Sequence, residues 1–269
     1  MTTTARTDST REPLVGNSQS ELERRAALGQ ITWLGPAIVV IGRSFLMIAA
    51  QGLVALIYVL RRHPSAWSAA APWWTVYGTL VDAGCLALMM KFTRPEGIRL
   101  RDLVGKVRLR WGRDIFLGTG CFLIFVLFFS VPGLVASKIL FGTTHPSMYP
   151  GLLAQRSLPL WAVIYSLGAW WPIWSLTEEM TYNGYALPRI QALAGHKWIA
   201  VLTVGFWWAL QHSFLPFILD WKYVVWRFLF FLPGVVLMTL IYLWIRRLPP
   251  LVLAHWPMDL MAALYTLKF

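Results

Sequence analysis

Long apolar stretches separated by short polar ones set the pattern of this chain. Seven stand out, at about 31–60, 73–90, 115–136, 160–187, 198–218, 223–245 and 251–267. A helix needs ~20 predominantly apolar residues to cross hydrocarbon, and several of these stretches reach that length. The pattern predicts an all-α fold, a polytopic membrane helix bundle of about seven or eight transmembrane helices. Residues 1–30 are polar, mixed in charge and short of aromatics. They read as a disordered cytoplasmic tail with a helical piece near Glu21 to Leu28. The first apolar stretch begins too far into the chain, and runs too long, for a secretory signal. The bundle then occupies 31–269, with no internal repeat and no soluble domain.

Composition agrees. The chain is 57% hydrophobic and 13% charged, with mean hydropathy +0.57, against about 25% charged in an average soluble domain. The net charge of +12 could suggest nucleic acid. However, the basic residues cluster between apolar stretches, as cytoplasmic loops do. Membrane lipids, and no nucleic acid, are the expected partners. The densest cluster is Lys91, Arg94, Arg99, Arg101, Lys106, Arg108, Arg110 and Arg113. The positive-inside rule places it in the cytoplasm. With two spans before it, the N-terminus is cytoplasmic too, in a multi-pass protein of the plasma membrane. Arg61 and Arg62 fall on the outer side, against the trend. Cys85 and Cys121 lie in apolar runs and offer no disulfide framework.

The polar exceptions inside the apolar stretches carry the chemistry. Glu178 and Glu179 stand side by side after a Trp-rich run. Ionisable groups in a bilayer are costly and mark functional sites by default. On a helix Glu179 shares a face with Asn183, and Glu178 with Tyr182 and Tyr185. The plainer alternative is a pair that only caps a helix at the membrane surface. His212, His255 and Asp259 lie in later stretches. Each alone reads as a satisfied core or interfacial residue; together they exceed what helix packing needs. Arg43 and Asp82 are expected to form a structural pair with nothing else polar beside it. Pro172 is expected to kink the fourth span, and Pro188 to end it near Arg189.

Three motifs then resemble those of the CPBP intramembrane proteases, the CAAX protease and bacteriocin-processing (Abi) family that includes the type II CAAX prenyl endopeptidase. The family's first motif is two glutamates, three residues, then arginine and often glycine. Here it reads Glu178-Glu179-Met180-Thr181-Tyr182-Asn183-Gly184. The second is an aromatic, three residues and a histidine, matched by Trp208 and His212. The third is a histidine, three residues and Asn or Asp, matched by His255 and Asp259. The resemblance covers about 160–269. Two positions depart from it: Asn183 replaces the arginine, and Trp208 replaces a phenylalanine. Asn183 can give Glu179 only a neutral hydrogen bond where an arginine would make a bidentate pair.

The chain lacks a Gly-x-Ser-x-Gly elbow and a His-Glu-x-x-His zinc helix. The resemblance implies instead a peptidase in which Glu178 is the general base and His212 helps activate a water. Glu179 would be mainly structural, and His255 and Asp259 would face the oxyanion. An ionised Asp259 would repel that oxyanion, so it must be neutral or hold a cation. In the second case Glu178, His212, His255 and Asp259 form an N/O ligand set of a kind zinc accepts. The metal-free water is preferred, with a divalent metal as the alternative. The implied substrate is a membrane-associated peptide or protein, prenylated CAAX-type or leader-type, entering from the cytoplasmic leaflet. A non-catalytic scaffold or immunity-type relative, favoured by Asn183, and a proton-coupled transporter are the competing classes.

Overall fold

A computed structural model describes residues 16–105, 111–144 and 157–268. Residues 1–15 of the expected tail, and Lys106, Arg108 and Arg110 of the basic cluster, lie outside the described residues. The fold is an all-helical membrane bundle, and no strand occurs among the described residues. Helix α1 (Gln19–Ala27) precedes α2 (Leu34–Leu60), α3 (Ala66–Thr93), the short α4 (Leu100–Leu103) and α5 (Trp111–Phe141). A continuous helical run over 160–194 is α6. It is followed by α7 (Lys197–Gln211), α8 (Trp221–Ile245) and α9 (Pro249–Thr266). By length and composition α2, α3, α5 and α8 can each cross a membrane. Helices α6, α7 and α9 carry the polar motifs, and α7 is cut short.

Two expectations are corrected. Pro188 does not end α6, which runs on to Ala194 and stops at Gly195 in the left-handed region (φ 65°). The reason is a widened π turn over Met180–Ala186 just ahead of it, matched by another over Ser166–Trp170 ahead of Pro172. A proline has no N–H for residue i−4 and crowds that carbonyl. A π turn immediately before it relieves both problems. The second correction is α7, which ends at Gln211, short of the expected 218. The His212 side chain turns back onto the Trp208 carbonyl, and residues after it form a compact turn with Phe214 bridged to Phe217.

The polar cluster at 91–113 marks one end of the bundle. Arg246 and Arg247 lie there too, since Leu248 N donates to Val104 O at 3.1 Å. Helix α1 docks at the same end. Asn17 Nδ2 donates to Gly184 O (3.1 Å), and Arg25 Nη1 to Glu96 O (2.6 Å). Gly184 is needed there, because a Cβ at 184 would lie 2.8 Å from the Leu103 carbonyl oxygen. The 212–220 turn marks the opposite end. Gln51 and Trp67 side chains both donate to Phe217 O, at 3.0 and 2.9 Å. Between the ends, α5 packs along both α8 and α9.

Candidate active site

The paired glutamates sit where α6 changes from α to π geometry, and both are fully buried. π turns inside α-helices occur frequently at functional sites. The turn separates the two carboxylates. Glu179 Oε2 accepts from Asn183 Nδ2 at 2.7 Å, and its Oε1 lies 3.3 Å from His255 Nδ1. Glu178 points the other way. Its Oε1 accepts from the indole N–H of Trp208 and from Gln211 Nε2 (2.7 Å). Its Oε2 accepts no hydrogen bond among the described residues.

His212 follows the last turn of α7. Its Nδ1 lies 2.8 Å from Trp208 O. A carbonyl can only accept, so Nδ1 carries the hydrogen and Nε2 is left as a lone pair. That Nε2 stands 3.5 Å from Glu178 Oε1. The ring stacks on Phe231 with centroids 3.6 Å apart, and Arg227 Nε holds the His212 carbonyl at 3.0 Å. Position and tautomer are therefore both set by the fold.

His255 and Asp259 share a face of α9, one turn apart. The helix continues through Pro257, as that pairing requires. His255 Nε2 lies 3.7 Å from Asp259 Oδ1. Asp259 Oδ2 contacts Ser175 Oγ, which also lies 2.7 Å from Trp171 O. A hydroxyl has one hydrogen. Ser175 shares it between the Trp171 carbonyl and Asp259 Oδ2.

Glu178, His212, His255 and Asp259 line one cavity of about 580 Å³. Glu179 and Asn183 do not line it. The rest of the lining is largely apolar, with Trp170, Trp174, Phe230 and Phe231 prominent. Of the ligand set considered for a metal, Glu178 keeps Oε2 without a hydrogen bond among the described residues and His212 turns its bare Nε2 inward, so each retains a lone pair. Among the described residues no group of three or more His, Cys, Asp and Glu is arranged to hold a metal ion.

Three contributors were not read from the sequence. Arg43 is fully buried and donates Nε to Gln211 Oε1 at 2.8 Å. It also meets Asp82 Oδ1 at 3.2 Å, so the expected pair exists but is not isolated. Gln211 and Ser175 are the others. Each was visible as a polar residue in an apolar stretch, but its contact with the site was not. Trp208 does more than a phenylalanine could, because its indole N–H reaches Glu178. Arg189 goes to Glu96 (Nη2 to Oε2, 2.5 Å) and does not substitute for an arginine at 183.

Fold and site together give a buried carboxylate and imidazole cluster that lines an apolar cavity of a helical membrane bundle. Residues 159–261 match the family model described as Rce1-like, type II CAAX prenyl endopeptidase. Over those residues the match supports the CPBP, or CAAX protease, family. Comparison with the curated proteins gives no match, and comparison with the solved structures gives none. The family is one of endopeptidases, and the chain is a membrane protein.

Proposed function

We propose that this chain hydrolyses a peptide bond of a membrane-associated substrate, with Glu178 as general base. The observation that carries the reading is the convergence of Glu178, His212, His255 and Asp259 on one apolar cavity, with Glu178 Oε2 free to accept. A water between Glu178 and His212 Nε2 transfers a proton to Glu178 Oε2 as its oxygen attacks the carbonyl carbon. His255, with Nδ1 3.3 Å from Glu179 Oε1, offers Nε2–H to the oxyanion, a placed donor of the kind that stabilises developing charge. Asp259 lies beside that donor, and only its neutral form leaves the charge unopposed. Collapse of the intermediate breaks the C–N bond, and Glu178 passes its proton to the leaving amine.

The cavity also bears on access. Leu215, Pro216, Trp226 and Thr266 line it, and all lie toward the end marked by the 212–220 turn. The basic end, cytoplasmic by the positive-inside rule, is closed over by α1 and α4. The cavity therefore favours approach from the outer half of the plasma membrane over the cytoplasmic-leaflet approach expected from the sequence. Its aromatic walls suit an apolar chain or apolar side chains next to the scissile bond.

The test is cleavage of an internally quenched, farnesylated CAAX peptide and of a hydrophobic leader-type peptide by the protein in liposomes. Cleavage by wild type but not by Glu178→Gln is expected. Equal behaviour of the two proteins on every peptide overturns the reading.

A further inference from the structure

We propose that Arg43, anchored by Asp82, is a positioning residue that aims and charge-balances Glu178 from α2. This rests on Glu178 being the base. Arg43 lies far outside the family-matched segment, in the first long helix. Its side chain is fully buried, with the guanidinium 4.3 Å over the Trp174 ring. Three contacts make it more than a helix-packing pair.

The first is the bond to Gln211. Gln211 Oε1 receives two donors, Arg43 Nε at 2.8 Å and Tyr182 O–H at 3.1 Å. An amide nitrogen could accept neither, so the amide has one allowed orientation. Its Nε2 must then point to Glu178 Oε1, 2.7 Å away. Arg43 thereby fixes the direction of the whole chain from α2 to the carboxylate. The second contact is direct. Arg43 Nη2 lies 3.8 Å from Glu178 Oε2, the oxygen with no hydrogen bond. At that distance it can balance charge without occupying the lone pair that the water needs. The third is Asp82, 3.2 Å from the same Nη2, which holds the guanidinium in place. Arginine keeps its charge at any working pH, and no other arginine or lysine contacts Glu178 among the described residues.

A merely structural ion pair behaves differently. Removing one partner of a buried pair strands the other, whereas replacing both can be neutral for folding. The experiment compares Arg43→Lys, Arg43→Gln, and Arg43→Gln with Asp82→Asn, in liposomes with the quenched peptides above, alongside melting temperature. The double variant should melt within a few degrees of wild type, yet kcat should fall about 100-fold with KM little changed. Arg43→Lys keeps the charge but loses the planar fork that reaches Gln211 and Asp82 together, so its kcat should fall between those of wild type and Arg43→Gln. A double variant that cleaves at the wild-type kcat overturns the inference while leaving Glu178 as base. Arg43→Lys falling as far as Arg43→Gln also overturns it. If Glu178→Gln cleaves like wild type, the underlying reading fails and the inference fails with it.

Discussion

His212 holds its Nδ1 on the Trp208 carbonyl at 2.8 Å, which turns its bare Nε2 toward Glu178 Oε1. Nε2 accepts and Glu178 keeps Oε2 open, so a donor held by Nε2 beside the carboxylate is gripped from two sides. A water meets that need and is polarised for attack. Glu178→Gln and His212→Ala should therefore each lower cleavage by roughly 10²–10⁴-fold, with the bundle still folded. Glu179 faces away from the cavity, so Glu179→Gln should cost less activity. Equal and total loss in both glutamine variants, measured at matched melting temperature, would end this division of labour.

Trp208 occupies the family's phenylalanine position and donates to Glu178 through its indole. Hydrogen bonds to charged groups contribute about 1.5–3 kcal/mol. Trp208→Phe should lower stability by about that much. Cleavage should survive, because Gln211 still donates to the same oxygen. Chemical denaturation in detergent together with the liposome assay checks both halves. A stable Trp208→Phe protein would mean the indole contact contributes little.

The cavity mouth gives a prediction independent of catalysis. Met261 lines the cavity and is 36% exposed, while Arg99 lies at the basic end. The native Cys85 and Cys121 are buried and should stay silent. A membrane-impermeant maleimide should label Met261→Cys in right-side-out vesicles and Arg99→Cys only in inverted ones. Labelling of both from the same side would place the mouth at the basic end.

The docked α1 should respond to acid, and the sign is fixed. Glu21 bridges Arg24 and Arg25 at 2.7 Å each. These two hydrogen bonds, that from Arg24 foremost, lower its pKa from 4.5 to about 2. The folded value is below the unfolded one, so the stabilisation is complete above about pH 4.5 and is lost as pH falls toward about 2. A nitroxide at Leu28→Cys should stay immobilised down to about pH 5 and be released only near the lower limit. Glu21→Gln should remove the step. Release between about pH 7 and pH 5 would assign docking to another group.

What could be read before folding divides along physical lines. The apolar stretches and the motifs on α6, α7 and α9 were legible, because hydropathy and spacing are local properties of the chain. Glu179 with Asn183 was legible for the same reason, being one turn apart. Arg43 with Gln211 was not, since 168 positions separate them and only packing brings α2 against α7. The π turns before Pro172 and Pro188 were missed because proline was read as a helix breaker, when the wider turn absorbs it. The early end of α7 depends on a side chain capping its own helix, which no periodicity reveals.

Position 183 remains the sharpest test of how this site departs from its family. Asn183 is fully buried in the π turn, donating Nδ2 to Glu179 Oε2 while its own Oδ1 has no hydrogen-bond partner among the described residues. Asn183→Leu keeps the volume and removes the donor. It should destabilise by about 1.5–3 kcal/mol, the usual worth of a bond to a charged group. Asn183→Arg adds a charge beside Glu179 but must fit a larger side chain, and overpacking costs about 1–3 kcal/mol. With Arg43 already balancing Glu178, the new cation falls on the structural glutamate rather than on the base. Cleavage by Asn183→Arg should therefore equal or exceed wild type wherever the variant folds, as read by peptide turnover beside melting temperature. A variant that melts like wild type but cleaves clearly less would show that Asn183 is adapted to this site, and that a neutral donor at 183 is part of how it works.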